Sequence, residues 1–233
     1  MKIEAEFDKR GILVAKRICF ISTPEAKPIY KEVEVEFTFF NGFSVSQKQK
    51  SIRSMHSSIG NTYPNLRVLE VSSKSTNSLG VKLSAFNLKL FDEESGNEYA
   101  LENIFQSSKV FEQGGPYKDL LITSPKDAKR DSRLKSSGNL INFNYNRTIW
   151  LLNPKSMFYD WIYIKALHCN EYLSKKILEF DAFTDIEFNQ EKSINCQARA
   201  AAIFVSLVKL NNLEVVLNNK DEFEKIYSED CSI

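Results

Sequence analysis

The sequence predicts an α+β fold: one helix-rich domain whose β-strands come first. Three features carry this. Residues 31–40, KEVEVEFTFF, alternate apolar and polar side chains at the period of a strand with one buried face. From Ala100 onward, apolar residues recur at helical spacing and several segments open on cap residues. No internal repeat, low-complexity tract or linker divides the 233 residues, a length that supports one substantial core.

Along the chain, GILVAKRICFI (11–21) is the first strand expected. The turn-forming STPEAKP joins it to a strand in which Val33, Val35, Phe37 and Phe39 lie opposite Glu34, Glu36 and Thr38. Ser44 is placed to cap a helix through SQKQKSIRSMHSSI, with Ile52, Met55 and Ile59 on its buried side. RVLEVSS (67–73) reads as a short strand. LENIFQSSKVF (101–111) reads as a helix, ended by Gly114 and Gly115 and barred from continuing at Pro116. SPKDAKRDSRLK (124–135) has Ser124 as cap, Pro125 at the first helical position and Asp127 in the first turn. NPKSMFYDWIYIKALH starts a helix near Pro154, and NCQARAAAIFVSLVKL, apolar on most sides, is expected at the centre of the core.

Composition excludes several classes. The apolar and charged fractions, 42% and 26%, fit a globular chain. No apolar run is long enough to span a bilayer, and MKIEAEFDKR carries acids too early for a signal peptide. The four cysteines, Cys19, Cys169, Cys196 and Cys231, lack CxxC spacing, so free thiols in a reducing cytoplasm are expected. Two histidines, His56 and His168, are too few for a His-rich zinc or iron site, and His168 reads as a packed or surface-edge residue. With neither GxxxxGK nor GxGxxG, no P-loop or dinucleotide fold is indicated, and no cofactor is expected. An enzyme built from this chain must run its proton transfers on carboxylates and amines.

The net charge of +1 is unevenly spread. Between Ser44 and Lys89, seven bases (Lys48, Lys50, Arg53, Arg67, Lys74, Lys82, Lys89) face Glu70 alone, 7 − 1 = +6. From Glu214 onward, Lys220 and Lys225 face six acids, 2 − 6 = −4. The basic stretch suits phosphates or nucleic acid; a solvated charged surface is an equal reading.

Three polar groups stand out. Glu102, Gln106 and Lys109 fall on one stripe of a helix at i, i+4 and i+7, beside the apolar Leu101, Ile104 and Phe105. Lys126, Lys129, Arg130 and Arg133 form a basic row at i, i+3, i+4 and i+7, suited to a diphosphate or simply a solvated face. In DAFTDIEFN (181–189), Asp181, Asp185 and Glu187 sit among phenylalanines, a setting for raised carboxylate pKa values or for a turn before the next helix.

The order and wording of these segments resemble the NADAR superfamily. The resemblance is carried by LSAFN (83–87), LENIFQSSKVF, AKRDSR (128–133) and FTDIEFN followed by INCQA (183–198). The corresponding family patterns are F-S-N-F, E-H-Y-F-Q-A-x-K-F, A-K-R-x-G-R and an Asp-containing segment before G-x-N-x-L-G-x-x-L. It runs from about Val71 to Leu207. GFSVSQKQKSI, QGGPYKDLL and FYDWIYIKAL further resemble the branch encoded beside DarT-type toxins. Those toxins attach ADP-ribose to guanine in DNA, and the branch removes it. Three departures stand in this chain. Asn103 and Ile104 replace His-Tyr, Asp131–Ser132 lacks the glycine, and Glu187–Phe188 replaces Trp-Gly.

The resemblance implies a NADAR-like catalytic domain over 71–233, with 1–70 as an integral extension of strands and a basic helix. It implies Glu102, Lys109 and Asp185 as the catalytic groups. Ser84, Phe86 and Asn87 would line the ribose or base pocket, with Phe105 and Gln106 on its floor. Lys129, Arg130 and Arg133 would face phosphates, Trp150 would be a pocket aromatic, and Asn195 a polar contact at the last helix. The implied activity is an N-glycosidase that removes ADP-ribose from guanine in DNA, as antitoxin to a DarT-type toxin. Two other readings stay open: an N-glycosidase on riboflavin-pathway intermediates, and a module that binds ADP-ribose without cleaving it.

Overall fold

The structure, a computed structural model, describes residues 5–7, 11–189 and 195–228; Cys231 lies outside them. The chain opens with β1 (Ala5–Phe7), β2 (Leu13–Ser22) and β3 (Tyr30–Thr38). As the alternation predicts, β2 and β3 form an antiparallel hairpin in register from Val14↔Thr38 to Ser22↔Tyr30. Helix α1 (Val45–Thr62) follows, its N-terminus capped by Ser44, whose side chain accepts from Gln47 N at 3.3 Å. After it come β4 (Val68–Glu70) and α2 (Ser78–Lys82). A Cβ built on Gly80 of α2 would lie 1.9 Å from the Glu70 carbonyl oxygen, so the approach of α2 to β4 requires glycine.

A hairpin of β5 (Lys89–Asp92) and β6 (Asn97–Ala100) leads into α3 (Leu101–Ser107) and then β7 (Lys109–Phe111). A 3₁₀ turn at Lys118–Ile122 precedes α4 (Pro125–Arg130) and α5 (Arg133–Ser136). Next, β8 (Leu140–Tyr145) and β9 (Thr148–Trp150) join β7 in an antiparallel sheet. The remainder is α6 (Met157–His168), α7 (Glu171–Ile177), β10 (Ala182–Thr184), α8 (Gln197–Lys209), α9 (Leu213–Asn218) and α10 (Lys220–Ser228).

The α+β class holds, but the division into early strands and late helices does not. β7, β8, β9 and β10 all follow Ala100. β10 is the decisive one. It pairs antiparallel with β2 and parallel with β4, so a strand from the second half of the chain closes the N-terminal sheet. Three helix bounds also differ from expectation: α3 stops at Ser107, the 124–135 segment breaks at Asp131, and α6 begins at Met157 rather than near Pro154.

The period-two rule divides β2 between two cores. Cys19 and Ile21 pack with Val35, Phe37, Ile52, Met55 and Ile59 beneath α1. Ile18 and Phe20 face the other way, toward Phe183, Ile203 and Phe204 of the main core. α8 is buried along its length, as its apolar character predicts. It carries Arg199, whose guanidinium pairs at 3.0 Å with Asp160 of α6, a fully buried carboxylate. Tyr227 of α10 donates to the same carboxylate at 2.8 Å. His168 sits at the edge of α6, 3.2 Å from Glu214. No helix among the described residues is long and apolar enough to cross a membrane.

Candidate active site

Leu83–Asn87 form the turn that leaves α2. Ser84 Oγ donates to Val81 O (2.8 Å), and Asn87 Nδ2 donates to Val81 O (2.9 Å) and Ser84 Oγ (3.0 Å). Ser84 is buried, Phe86 half-buried and Asn87 exposed. α3 has no side-chain cap; instead Leu101 N donates to Leu88 O and Glu102 N to Ala85 O, each at 2.9 Å. The turn thus satisfies the orphan N–H groups at the helix start and fixes Glu102 beside it.

Glu102 is 4% exposed. Its Oε1 accepts from Gln106 Nε2 at 2.8 Å and lies 3.6 Å from Lys129 Nζ. Among the described residues its Oε2 makes no hydrogen bond. Gln106 Oε1 is buried and also without a partner among them. An unsatisfied buried amide oxygen costs about 1–3 kcal/mol, and a ligand donor is one way to recover it.

Lys109 does not lie on the helical stripe with Glu102. Ser107 and Ser108 turn their hydroxyls back onto Ile104 O (3.1 and 2.7 Å) as α3 closes, and Lys109 opens β7 instead. Its amine nonetheless lies near enough to Glu102 for the two charges to act on each other. Burial pushes its pKa down to about 8, opposed by the nearby Glu102 charge and assisted by that of Lys129. The residue as a whole is half-buried, but its amine is desolvated, 4.7 Å from the Phe105 ring centre. Gly115 (φ +86°) packs against this strand so tightly that a Cβ there would stand 2.3 Å from Lys109 O.

The basic row is not one helix face. α4, capped by Ser124 as predicted, ends at Arg130, and extended backbone at Asp131 separates Arg133 into α5. Lys129 alone of the row joins Glu102, its amine also 5.3 Å from the Phe86 ring centre. Lys126 and Arg130 are exposed. Arg133 is taken up by Asp131 and Asp119 and stacks 4.4 Å from the Tyr117 ring centre. Lys48, one of the bases of the 44–89 stretch, is buried and paired with Glu187 at 3.2 Å.

Asp185 follows β10. It accepts from Glu187 N (3.0 Å) and from Gln197 Nε2 (2.9 Å), while Gln197 Oε1 accepts from Ala85 N (2.8 Å). One amide therefore ties Asp185 to the turn that holds Glu102. Burial raises the Asp185 pKa, against the hydrogen bonds it accepts and the Lys129 charge. Buried Tyr159 of α6 lies close enough to both carboxylates for each to raise its pKa further, after burial itself.

Glu70 was not singled out by the sequence. It is buried and accepts from Ser72 Oγ (2.6 Å), Thr184 Oγ1 (2.6 Å) and Ile186 N (2.9 Å), with His56 Nε2 2.9 Å beyond Thr184 Oγ1. Burial and the Asp185 charge raise its pKa, outweighing those bonds. A raised carboxyl stabilises the fold below the ordinary carboxylate range and loses that contribution as pH rises through its folded pKa. Glu70→Gln should flatten this dependence. The urea midpoint of the wild type is expected to fall between about pH 5 and about pH 9, and that of the variant to fall less.

Glu102, Lys109, Lys129, Phe86 and Asp185 thus converge, with Gln106 beneath. Trp150, expected as a pocket aromatic, is 2% exposed and packs at 5.6 and 4.9 Å between Phe158 and Trp161, inside the aromatic core. Asn195 stands half-buried ahead of α8, where Gln197 supplies the amide that reaches the turn. Gln197, Tyr159 and Glu70 are the residues that sequence reasoning missed. Gln197 lies within INCQA and Tyr159 within FYDWIYIKAL, so only Glu70 lacked a signal. A cleft of about 370 Å³ beside Lys16, Glu34 and Glu36 contains none of the convergent groups.

No curated protein matches this chain. A family model for the DarT1-associated NADAR antitoxins matches residues 15–232, nearly its whole length and across both the N-terminal sheet and the convergent site. The chain belongs to the DarT1-associated NADAR antitoxin family.

Proposed function

We propose that the protein is an N-glycosidase that removes ADP-ribose from guanine bases of DNA and so reverses the mark left by a DarT-type toxin. The observation that carries this is a buried carboxylate, Glu102, whose charge acts on a desolvated amine, Lys109, and which pairs with an exposed lysine, Lys129, that can leave for a phosphate. The bond to be broken joins the anomeric carbon to the exocyclic amine of guanine. That amine departs only once protonated, and a positioned acid supplies typically ~10²–10⁴-fold.

In this reading Asp185, whose pKa burial raises to about 6, delivers a proton from its protonated fraction to the departing nitrogen. Glu102 opposes the positive charge that grows at the anomeric carbon and takes up the proton released by the water that adds there. Gln106 Oε1 accepts from a ribose hydroxyl. Lys129 swings from Glu102 to the diphosphate, joined by Arg130. If the sugar opens to its imine, the free amine of Lys109 adds to that carbon and guanine amine is expelled, leaving a lysine Schiff base that water hydrolyses.

Incubation with a guanine-ADP-ribosylated oligonucleotide tests the activity: release of unmodified DNA is expected, and unchanged substrate would refute it. Calorimetry showing tight ADP-ribose binding without turnover would favour a binding module instead. The Lys109 route has its own pH signature. Because the amine must be free while Asp185 is protonated, kcat/KM should follow a bell in pH that falls again above about 8, the pKa of Lys109. Borohydride should trap a covalent adduct in the wild type and none in Lys109→Met.

A further inference from the structure

Of the bases between Ser44 and Lys89, Lys48 and Arg67 are neutralised by Glu187 and Glu179 at 3.2 and 3.5 Å. Lys82 and Lys89 are different. Among the described residues neither has a carboxylate within ion-pair distance, yet both line one groove of about 530 Å³. Tyr172 and Phe91 line it too, 59% and 49% exposed. The Lys82 amine stands 5.3 Å from the Tyr172 ring centre, and Lys89 and Phe91 project from the same face of β5.

Unpaired cations beside exposed aromatic faces are what a single-stranded nucleotide uses: phosphate on the lysines, base stacked on a ring. An acidic peptide would use the lysines and leave the rings idle. Glu98, directly opposite Phe91 in the β5–β6 register, also lines the groove. Its carboxylate repels phosphate and accepts from the amino group of a base, which orients the nucleotide with its sugar–phosphate toward Lys82 and Lys89. Asn87 connects the groove to the site. It lines the groove and donates to Ser84 Oγ at 3.0 Å, within the turn whose Ala85 carbonyl holds Glu102 N.

We propose that this groove holds an unpaired nucleotide neighbouring the modified guanine, its base on Tyr172 and its phosphate on Lys82 and Lys89. The position of that nucleotide beside the reacting base rests on the function proposed above; the binding itself does not. Fluorescence anisotropy of the full chain with an unmodified single-stranded oligonucleotide, repeated across a salt series, tests it. Tyr172→Ala should weaken binding roughly 5- to 100-fold. Lys82→Glu and Lys89→Glu should each weaken it and lower the salt slope by about 0.7 for every phosphate that is no longer neutralised. Cleavage of an ADP-ribosylated guanosine mononucleoside should be unaffected in all three, which also shows that they fold.

Binding unchanged in Tyr172→Ala and Lys82→Glu, or no binding by the wild type, would overturn the proposal. So would an acidic peptide that competes for Lys82 with no dependence on Tyr172, which would assign the groove to a protein partner. Tyr172-dependent binding without any glycosidase turnover would refute the proposed function and leave the groove standing; turnover with Tyr172-independent binding would do the reverse.

Discussion

Glu102→Gln is expected to slow cleavage of the ADP-ribosyl–guanine bond by about 10²–10⁴-fold while leaving the fold intact. The substitution preserves shape and volume, so α3 keeps its packing and Glu102 N keeps its bond to Ala85 O. What it removes is the negative charge. Lys129 loses an ion-pair partner, but that lysine is 57% exposed and such a pair is worth only about 0–1 kcal/mol. The thermal midpoint should therefore move by no more than a few degrees, roughly what 1 kcal/mol produces in a chain of this size. Single-turnover rates on the modified oligonucleotide would separate the chemical step from DNA binding. A variant that cleaves at the wild-type rate would remove Glu102 from the reaction. A variant with weakened affinity and unchanged rate would make it a binding group only.

The largest effect on stability is expected at Arg199. Arg199→Met should destabilise the fold by about 3–5 kcal/mol, because it strands a carboxylate in the core. Asp160 has no exposed surface, and burial already raises its pKa against the opposing Arg199 charge. Arg199 donates to it through Nε (3.2 Å) and Nη2, and the Tyr227 hydroxyl donates at 2.8 Å. The pair crosses from α8 to α6, and Tyr227 fastens α10 to the same point. Its removal should loosen three helices together. Urea unfolding reads the change directly, and a loss below about 1 kcal/mol would show that the pair does not hold the helices together. The double variant Arg199→Met with Asp160→Leu should recover most of the stability, since removing both charges leaves nothing buried and unpaired.

Local features were legible in the sequence because their causes are local. Ser44 and Ser124 cap the helices they were expected to cap, since a short side chain reaches the N–H three residues on whatever surrounds it. The 33–37 alternation became β3 because a strand with one wet face needs it. The candidate catalytic residues were legible in a different way, through the wording of four segments that resemble one family.

The geometry behind those residues was less accessible. Glu102 and Lys109 were expected to share a helical stripe; instead the chain leaves the helix at Ser108 and turns into β7, which still leaves the amine within reach of the Glu102 charge. Arg133 looked equivalent to Lys129, yet Asp119, fourteen residues earlier, claims it. Trp150 carried no mark to distinguish a core aromatic from a pocket wall.

By itself, then, the sequence determined the α+β class, the capped helices and the β2–β3 hairpin, and its family resemblance singled out Glu102 and Lys109 as candidates. Only the tertiary structure decided that β10 would lie between β2 and β4, that Gln197 would bind Asp185 to the Ala85 turn, and that Glu70 would be buried among hydroxyls. The physical reason is range. Caps and alternation act within a few residues, whereas a carboxylate's pKa and partners depend on groups that are 114 positions away in the case of Glu70 and Thr184.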